Sequence, residues 1–226
     1  MSGHTNIVRI KAVARALGAL KDRVVFVGGA TLSLYATRKV FEVRPTDDVD
    51  VIIEVLNYAK GTELDDQLRS IGFRNDVESG VICRWRIEKI IVDIMPTTST
   101  VMGFSNRWYP EGYKNAITYA ISEDLTIQML PAPYFLATKL EAFKDRGRND
   151  GRTSHDFEDI IYILENRQEI WAEMSALQGN IKDYLTTEFR ILSNNQHIVE
   201  WIDCHVEKGT PPATYDIYDK IKNFNR

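Results

Sequence analysis

The run Ile90-Ile91-Val92-Asp93-Ile94-Met95 places one acid inside a segment that is apolar on both sides. A run of this length and composition reads as a strand buried on both faces, as in the middle of a sheet. A buried carboxylate without a partner costs several kcal/mol. A fold that accepts Asp93 must therefore bring it a metal ion or a cationic side chain.

Two further acids raise the same demand. Asp48 and Asp50 lie in Arg44-Pro45-Thr46-Asp47-Asp48-Val49-Asp50-Val51, where Pro45 breaks the chain and Val49 to Val55 reads as a strand. Residues two apart on an extended chain share one face. Upstream, Val24-Val25-Phe26-Val27 reads as a short buried strand, Gly28-Gly29 as a turn, and Ala30 to Arg38 as the start of a helix. That order presents free backbone N–H groups at a helix N-terminus, where phosphate binds and where a side chain blocks close approach.

Three carboxylates can hold two Mg²⁺ ions, which prefer oxygen ligands and share their sites with substrate phosphates. Two such ions about 3.5–4 Å apart serve the attacking and leaving oxygens of an in-line displacement. Each feature also has a plain structural reading. Gly28-Gly29 also fits an ordinary strand–helix turn, and Asp47-Asp48-Val49-Asp50 a solvated strand start. Asp93 is the residue for which that reading explains least.

The remaining pattern sets the fold class. Ile7, Ile10, Val13, Ala14 and Leu17 recur at helical spacing within residues 5–21, and Leu64 to Ile71 suggests another helix. Val81 to Ile87 and Ile90 to Met95 read as a hairpin joined by Glu88-Lys89, and Leu125 to Leu130 as a further strand. Beyond Pro131 and Pro133 the periodicity is helical over 133–146, 155–165, 167–177, 180–193 and 195–206. A last short helix carries Tyr215, Tyr218 and Ile221 on one side. The expectation is an α/β (α+β) chain: residues 1–130 form a mixed sheet flanked by helices, and residues 131–226 form a helical bundle.

Composition excludes several classes. A net charge of −4 and a pI of about 5.6 argue against a general nucleic-acid coat, which needs a broadly basic surface. The stretch from Ile7 to Leu20 is interrupted by Arg9, Lys11 and Arg15, which is too polar and short to span a membrane. Two distant cysteines, Cys83 and Cys204, imply no disulfide framework and point to a reducing cytosol. His197, Cys204 and His205 match no zinc spacing. The basic stretch Lys144, Arg146, Arg148 and Arg152 reads as a surface loop or as a contact to triphosphate or RNA backbone. The aromatics Phe104, Trp108, Tyr109 and Tyr113 read chiefly as packing, with a loop over a base as the alternative.

Gly28-Gly29, then Arg44-x-Thr46-x-Asp48-x-Asp50, then Asp93 in a later strand resembles the polymerase-beta-type nucleotidyltransferase superfamily. Ala137-Thr138-Lys139-Leu140-Glu141-Ala142-Phe143, Arg146 and His155-Asp156-Phe157-Glu158-Asp159-Ile160-Ile161-Tyr162-Ile163-Leu164 resemble its AbiEii-like branch, which contains toxins of toxin–antitoxin systems. The likeness covers about residues 23–165. Here Gly29 stands where the superfamily commonly has serine.

The resemblance implies roles for the matching residues. Asp48 and Asp50 ligate metal, and Asp93 is the third acid, able to deprotonate the acceptor hydroxyl. Gly28 and Gly29 line the triphosphate, Lys139 neutralises phosphate charge, and Asp156 completes the site, orienting Lys139. Arg44 and Thr46 steady the metal-binding strand. The implied cofactor is Mg²⁺, two ions, with an NTP as substrate. The implied partners are a tRNA or other RNA acceptor and an antitoxin protein, with no membrane. Alternative readings keep the chemistry but modify a small molecule or a protein hydroxyl, or reduce the chain to a non-catalytic nucleotide-binding module.

Overall fold

Ile10, Val13, Ala14 and Leu17 are all buried, and they form the inward face of α1 (Ser2–Leu17). The computed structural model describes the chain except residues 1, 39–42, 56, 104, 149, 210–211 and 225–226. It comprises two compact units. One is Met1–Leu34 with Phe41–Pro131, and the other is Tyr35–Val40 with Ala132–Arg226.

In the first unit, β1 (Val24–Val27) is buried at all four positions. Next come β2 (Asp48–Ile53), α2 (Tyr58–Ser70), β3 (Arg74–Asn75), β4 (Arg84–Ile87) and β5 (Ile90–Pro96). Two short helices follow, α3 (Ser99–Met102) and α4 (Tyr109–Lys114), then β6 (Ile117–Ser122) and β7 (Leu125–Met129). The strands make one mixed sheet in the order β3-β4-β5-β2-β1-β7-β6. β2 pairs with β5, and β1 with β7, in parallel, while the other pairs are antiparallel. α1 packs against β2 and β5. The continuous apolar runs of β1, β2 and β5 thus occupy the interior of the sheet, as their composition demands.

Three local details differ from the sequence expectation. The segment after Gly28 winds as a 3₁₀ helix over Gly29–Tyr35, not as an α-helix. The Thr31 amide and hydroxyl both donate to the Gly28 carbonyl, at 3.2 and 2.9 Å, which favours the tighter turn. At the β4–β5 turn the positive φ that glycine usually takes falls on Glu88, at 52°. β6 was not anticipated. It is an edge strand with no fully buried side chain, so its sequence carries little apolar signal. Trp108 is buried, as packing requires, and Phe104 lies outside the described residues.

The second unit contains α5 (Ala132–Arg146), α6 (His155–Asn166), α7 (Ile170–Ala176), α8 (Asn180–Ser193), α9 (Ile198–Asp203) and α10 (Thr214–Asn223). Ser154 caps α6 by accepting from the Phe157 amide at 3.3 Å. The inward face of α10 is Thr214, Ile217 and Ile221, whereas Tyr215 is exposed. The expected Tyr215–Tyr218–Ile221 side is therefore rotated, because aliphatic Ile217 takes the buried place. Among the described residues, no helix is long and apolar enough to cross a membrane.

An aromatic cluster anchors the helical unit. Phe157 is fully buried, with ring centroids 5.1 Å from Phe143 and 5.6 Å from Trp201. We expect Phe157→Ala to destabilise the protein by about 3–5 kcal/mol, measured by urea unfolding. A loss below about 1 kcal/mol, the range of tolerated core swaps, contradicts this packing role.

Candidate functional site

Strand register builds the site. Parallel pairing sets Asp50 opposite Asp93, and antiparallel pairing sets Asp50 opposite Val27, the residue before Gly28. Asp48 shares the face of Asp50, being two residues earlier on the same strand. The three carboxylates each offer an oxygen, and these oxygens lie within 4.8 Å of one another. Trans ligands of a Mg²⁺ ion lie about 4.2 Å apart, with bonds of about 2.1 Å. The observed spread exceeds this by a fraction of an ångström, which rotation of a carboxylate can close. The donor set is all oxygen, as a hard divalent cation requires.

Gly28 lies directly against the acidic cluster, and two features require glycine there. Its φ is +71°, and a Cβ there would stand 1.9 Å from Oδ2 of Asp50. The glycine bend and the acid occupy one another's space, so each positions the other. Gly29 opens the 3₁₀ helix directly behind it.

A strap fixes the chain entering β2. The Thr46 hydroxyl donates to the Asp48 carbonyl at 2.9 Å, and the Thr46 amide donates to Oδ1 of Asn6 at 3.1 Å. Nδ2 of Asn6 donates to the Arg44 carbonyl at 3.2 Å. Thr46 and Arg44 thus brace the strand, Arg44 through its backbone. Asn6 on α1 is wholly buried, and nothing in its sequence context marks it.

The cation that Asp93 demands is Arg84, which sequence reasoning missed. It lies opposite Asp93 in the β4–β5 ladder. Its Nε and Nη2 donate to the two oxygens of Asp93, each at 2.8 Å, and Nη2 reaches Oδ2 of Asp48 at 3.5 Å. The signal was present: a two-residue turn at Glu88-Lys89 pairs 87 with 90, and hence 84 with 93. The hydrogen bonds to Asp93 hold the guanidinium protonated well above its ordinary range. Burial, and then the Asp93 charge, push the Asp48 carboxyl above its usual range, and Arg84 only partly offsets them. Burial and Asp93 push the neighbouring Cys83 thiol up to about 11, so it stays protonated and unreactive.

The second unit holds a separate charged cluster. Lys139 on α5 is buried, with Nζ 3.2 Å from Oδ1 of Asp156 and 2.6 Å from Oδ2 of Asp159. Arg146 grips Asp156 with both Nε and Nη2, at 2.7 and 2.8 Å. Asp159, one turn beyond Asp156 on α6, was not singled out as a site residue, although its helical spacing places it on the same face. Burial pushes the Asp156 carboxyl up, but Arg146 and Lys139 outweigh it and hold the carboxyl below its usual range.

Much of the basic stretch is committed to ion pairs. Lys144 bonds Glu188 at 2.7 Å, and Arg152 bonds Glu200 at 2.7 Å and Asp150 at 3.1 Å. Nε2 of His205 lies 2.6 Å from the Gly151 carbonyl. Among the described residues, the one cluster able to hold a metal is Asp48, Asp50 and Asp93.

A seven-stranded mixed sheet with these flanking helices is a nucleotidyltransferase-like fold. The chain belongs to the AbiEii nucleotidyltransferase toxin family of type IV toxin–antitoxin systems, whose model matches residues 11–203. Among solved structures, it is similar to an antigenic nucleotidyltransferase-like protein from Paracoccidioides brasiliensis. That likeness has 15% identity and a TM-score of 0.56, and covers 92% of this chain and 96% of the other. No curated protein matches it.

Two outcomes follow. Gly28→Ala forces its methyl into Asp50, so we expect Mn²⁺ affinity, read by calorimetry, to fall at least about tenfold. Unchanged affinity contradicts the mutual positioning of Gly28 and Asp50. A carboxyl held low in the folded state stabilises the fold above its unfolded pKa of about 3.9 and loses that contribution as pH falls through the folded value. Asp156→Asn should lower the urea midpoint at neutral pH, with the difference from wild type shrinking towards about pH 3. A difference independent of pH contradicts this charge role.

Proposed function

We propose that the chain is a metal-dependent nucleotidyltransferase that moves a nucleoside monophosphate from an NTP to a hydroxyl, and that the acceptor is an RNA 3′ end, foremost a tRNA. The observation that carries the reading is the convergence of Asp48, Asp50 and Asp93 beside the glycine bend. In the reaction, the acceptor oxygen bonds to the α-phosphorus, the bond to the bridging oxygen breaks, and pyrophosphate leaves. Bound Mg²⁺, two ions in this reading, supplies Lewis-acid neutralisation of the phosphate charge.

The residues then divide the work. Asp48, Asp50 and Asp93 hold the cations, and Asp93 accepts the proton of the attacking hydroxyl. The backbone N–H groups of the Gly28-Gly29 bend receive the triphosphate. Lys139 meets phosphate charge, with Asp156 orienting its ammonium through the ion pair of 3.2 Å. Arg44 and Thr46 steady β2. The sheet-bearing unit is the catalytic core, and the helical unit is its C-terminal domain. Catalysis here is positioning and charge neutralisation. Membership of a toxin family supports an antitoxin protein as partner. The free thiols of Cys83 and Cys204 suit a cytosolic setting.

The net charge of −4 suits a small hydroxylated acceptor as well as an RNA. One experiment separates the readings. The protein is incubated with each of the four labelled NTPs, Mg²⁺ and either total tRNA, a protein mixture or hydroxylated small molecules, and product masses are read. We expect label in tRNA from one NTP, and at least about a 100-fold loss of rate in Asp48→Ala and Asp93→Ala. Label in another acceptor replaces the tRNA assignment. NTP binding without pyrophosphate release, whatever the acceptor, marks a binding module instead. Full activity in both variants rejects the assigned residues.

A further inference from the structure

Arg84 occupies the oxygens that a metal would use. Its guanidinium engages both oxygens of Asp93 at 2.8 Å and reaches Asp48 at 3.5 Å, so a cation cannot take these acceptors in full while the arginine holds them. The bidentate geometry is the strong form of this pairing. Two of the three converging carboxylates, Asp93 and Asp48, thus meet this one guanidinium, and a divalent ion carries twice its charge to the same oxygens.

The arginine also has somewhere to go. It lines a cavity of about 350 Å³ whose other walls include the charged Arg69 and Asp76 beside Asn75, Val77, Val81 and Ile82. The loop at Val77 and Ile82 is open to solvent, with the two residues 82% and 70% exposed. On release from Asp93 the guanidinium would turn towards this groove, where Asp76, already paired with Arg86, is the carboxylate in the wall. The side chain is long and unbranched, whereas its backbone stays pinned: the Asp76 amide donates to the Arg84 carbonyl at 3.0 Å, and the Arg84 amide donates to the Val81 carbonyl at 3.1 Å. The exchange therefore needs rotamer changes and no movement of the sheet.

We infer that Arg84 is a built-in cation that stands in for metal in the metal-free protein, and that a divalent ion displaces it from Asp93 and Asp48 into the adjoining groove. This rests on the reading of the acids as metal ligands. Arg84 acts through the acids and is a positioning residue. It keeps Asp93 and Asp48 together before metal arrives, and it weakens metal binding by competing for them. Affinity for the free cation is thereby held down, so that metal enters best together with a phosphate ligand that adds charge to the site.

The sign of one measurement decides the matter. Mn²⁺ alone is titrated into the full chain by calorimetry, with Mn²⁺ electron spin resonance as a second readout, for wild type, Arg84→Gln and Arg84→Lys. We expect Arg84→Gln to bind Mn²⁺ about tenfold more tightly than wild type, and Arg84→Lys to lie between them. Metal-free Arg84→Gln should also melt lower than wild type and gain more from saturating Mn²⁺. Equal or weaker affinity in both variants overturns the exchange, since a merely structural arginine lowers affinity when removed. If Arg84→Gln does not fold, Arg84→Lys carries the same comparison. If neither wild type nor variants bind Mn²⁺, while all fold, the metal reading of the acids fails and this inference falls with it.

Discussion

Parallel pairing of β2 with β5 sets Asp50 directly beside Asp93, and the acidic site depends on that register. A slip of one residue would send Asp93 to the opposite face of the sheet and leave a carboxylate buried among apolar side chains. The apolar neighbours Val92 and Ile94 resist the slip, because both are buried in the observed register. The same residues that build the core thus hold the acid beside Asp50. Gly28 and the Asn6–Thr46 strap then set the acid-bearing start of β2 against that frame.

The two units treat buried charge differently. In the helical unit, Lys139 and Arg146 face Asp156 and Asp159, and the formal charges of these four side chains balance. Such a buried network is weak evidence for stability, because desolvation consumes much of its Coulombic gain. In the sheet unit, Arg84 meets both Asp93 and Asp48, and burial, followed by the Asp93 charge, raises the Asp48 carboxyl.

Much of the site was legible because its signals are local. Asp48 and Asp50 are two apart on an extended segment, and Asp93 interrupts an apolar run. Glycine after a buried strand marks a tight bend. The helical segments beyond Pro131 follow their 3.6-residue period closely. Lys139 and Asp156 came from resemblance to a family and not from periodicity, since a helix lysine ordinarily faces solvent. What was missed has physical reasons. Arg84 emerges only when the hairpin register is counted outward from its turn. Asn6 acts through contacts 38 and 40 residues away. β6 is an exposed edge, and the 3₁₀ winding after Gly28 depends on where the Thr31 hydroxyl finds an acceptor.

By itself the sequence determined the type of the strongly periodic and apolar elements, the central place of the acid-bearing strand, and the need for a cation beside Asp93, because these follow from burial, period and the cost of desolvating charge. Only the tertiary structure decided that this cation is Arg84, that Asp50 shares its space with the Gly28 bend, and that Lys139 is bound by two buried aspartates. Those are pairings between distant segments, and strand register and helix packing choose them from many that the local pattern equally permits.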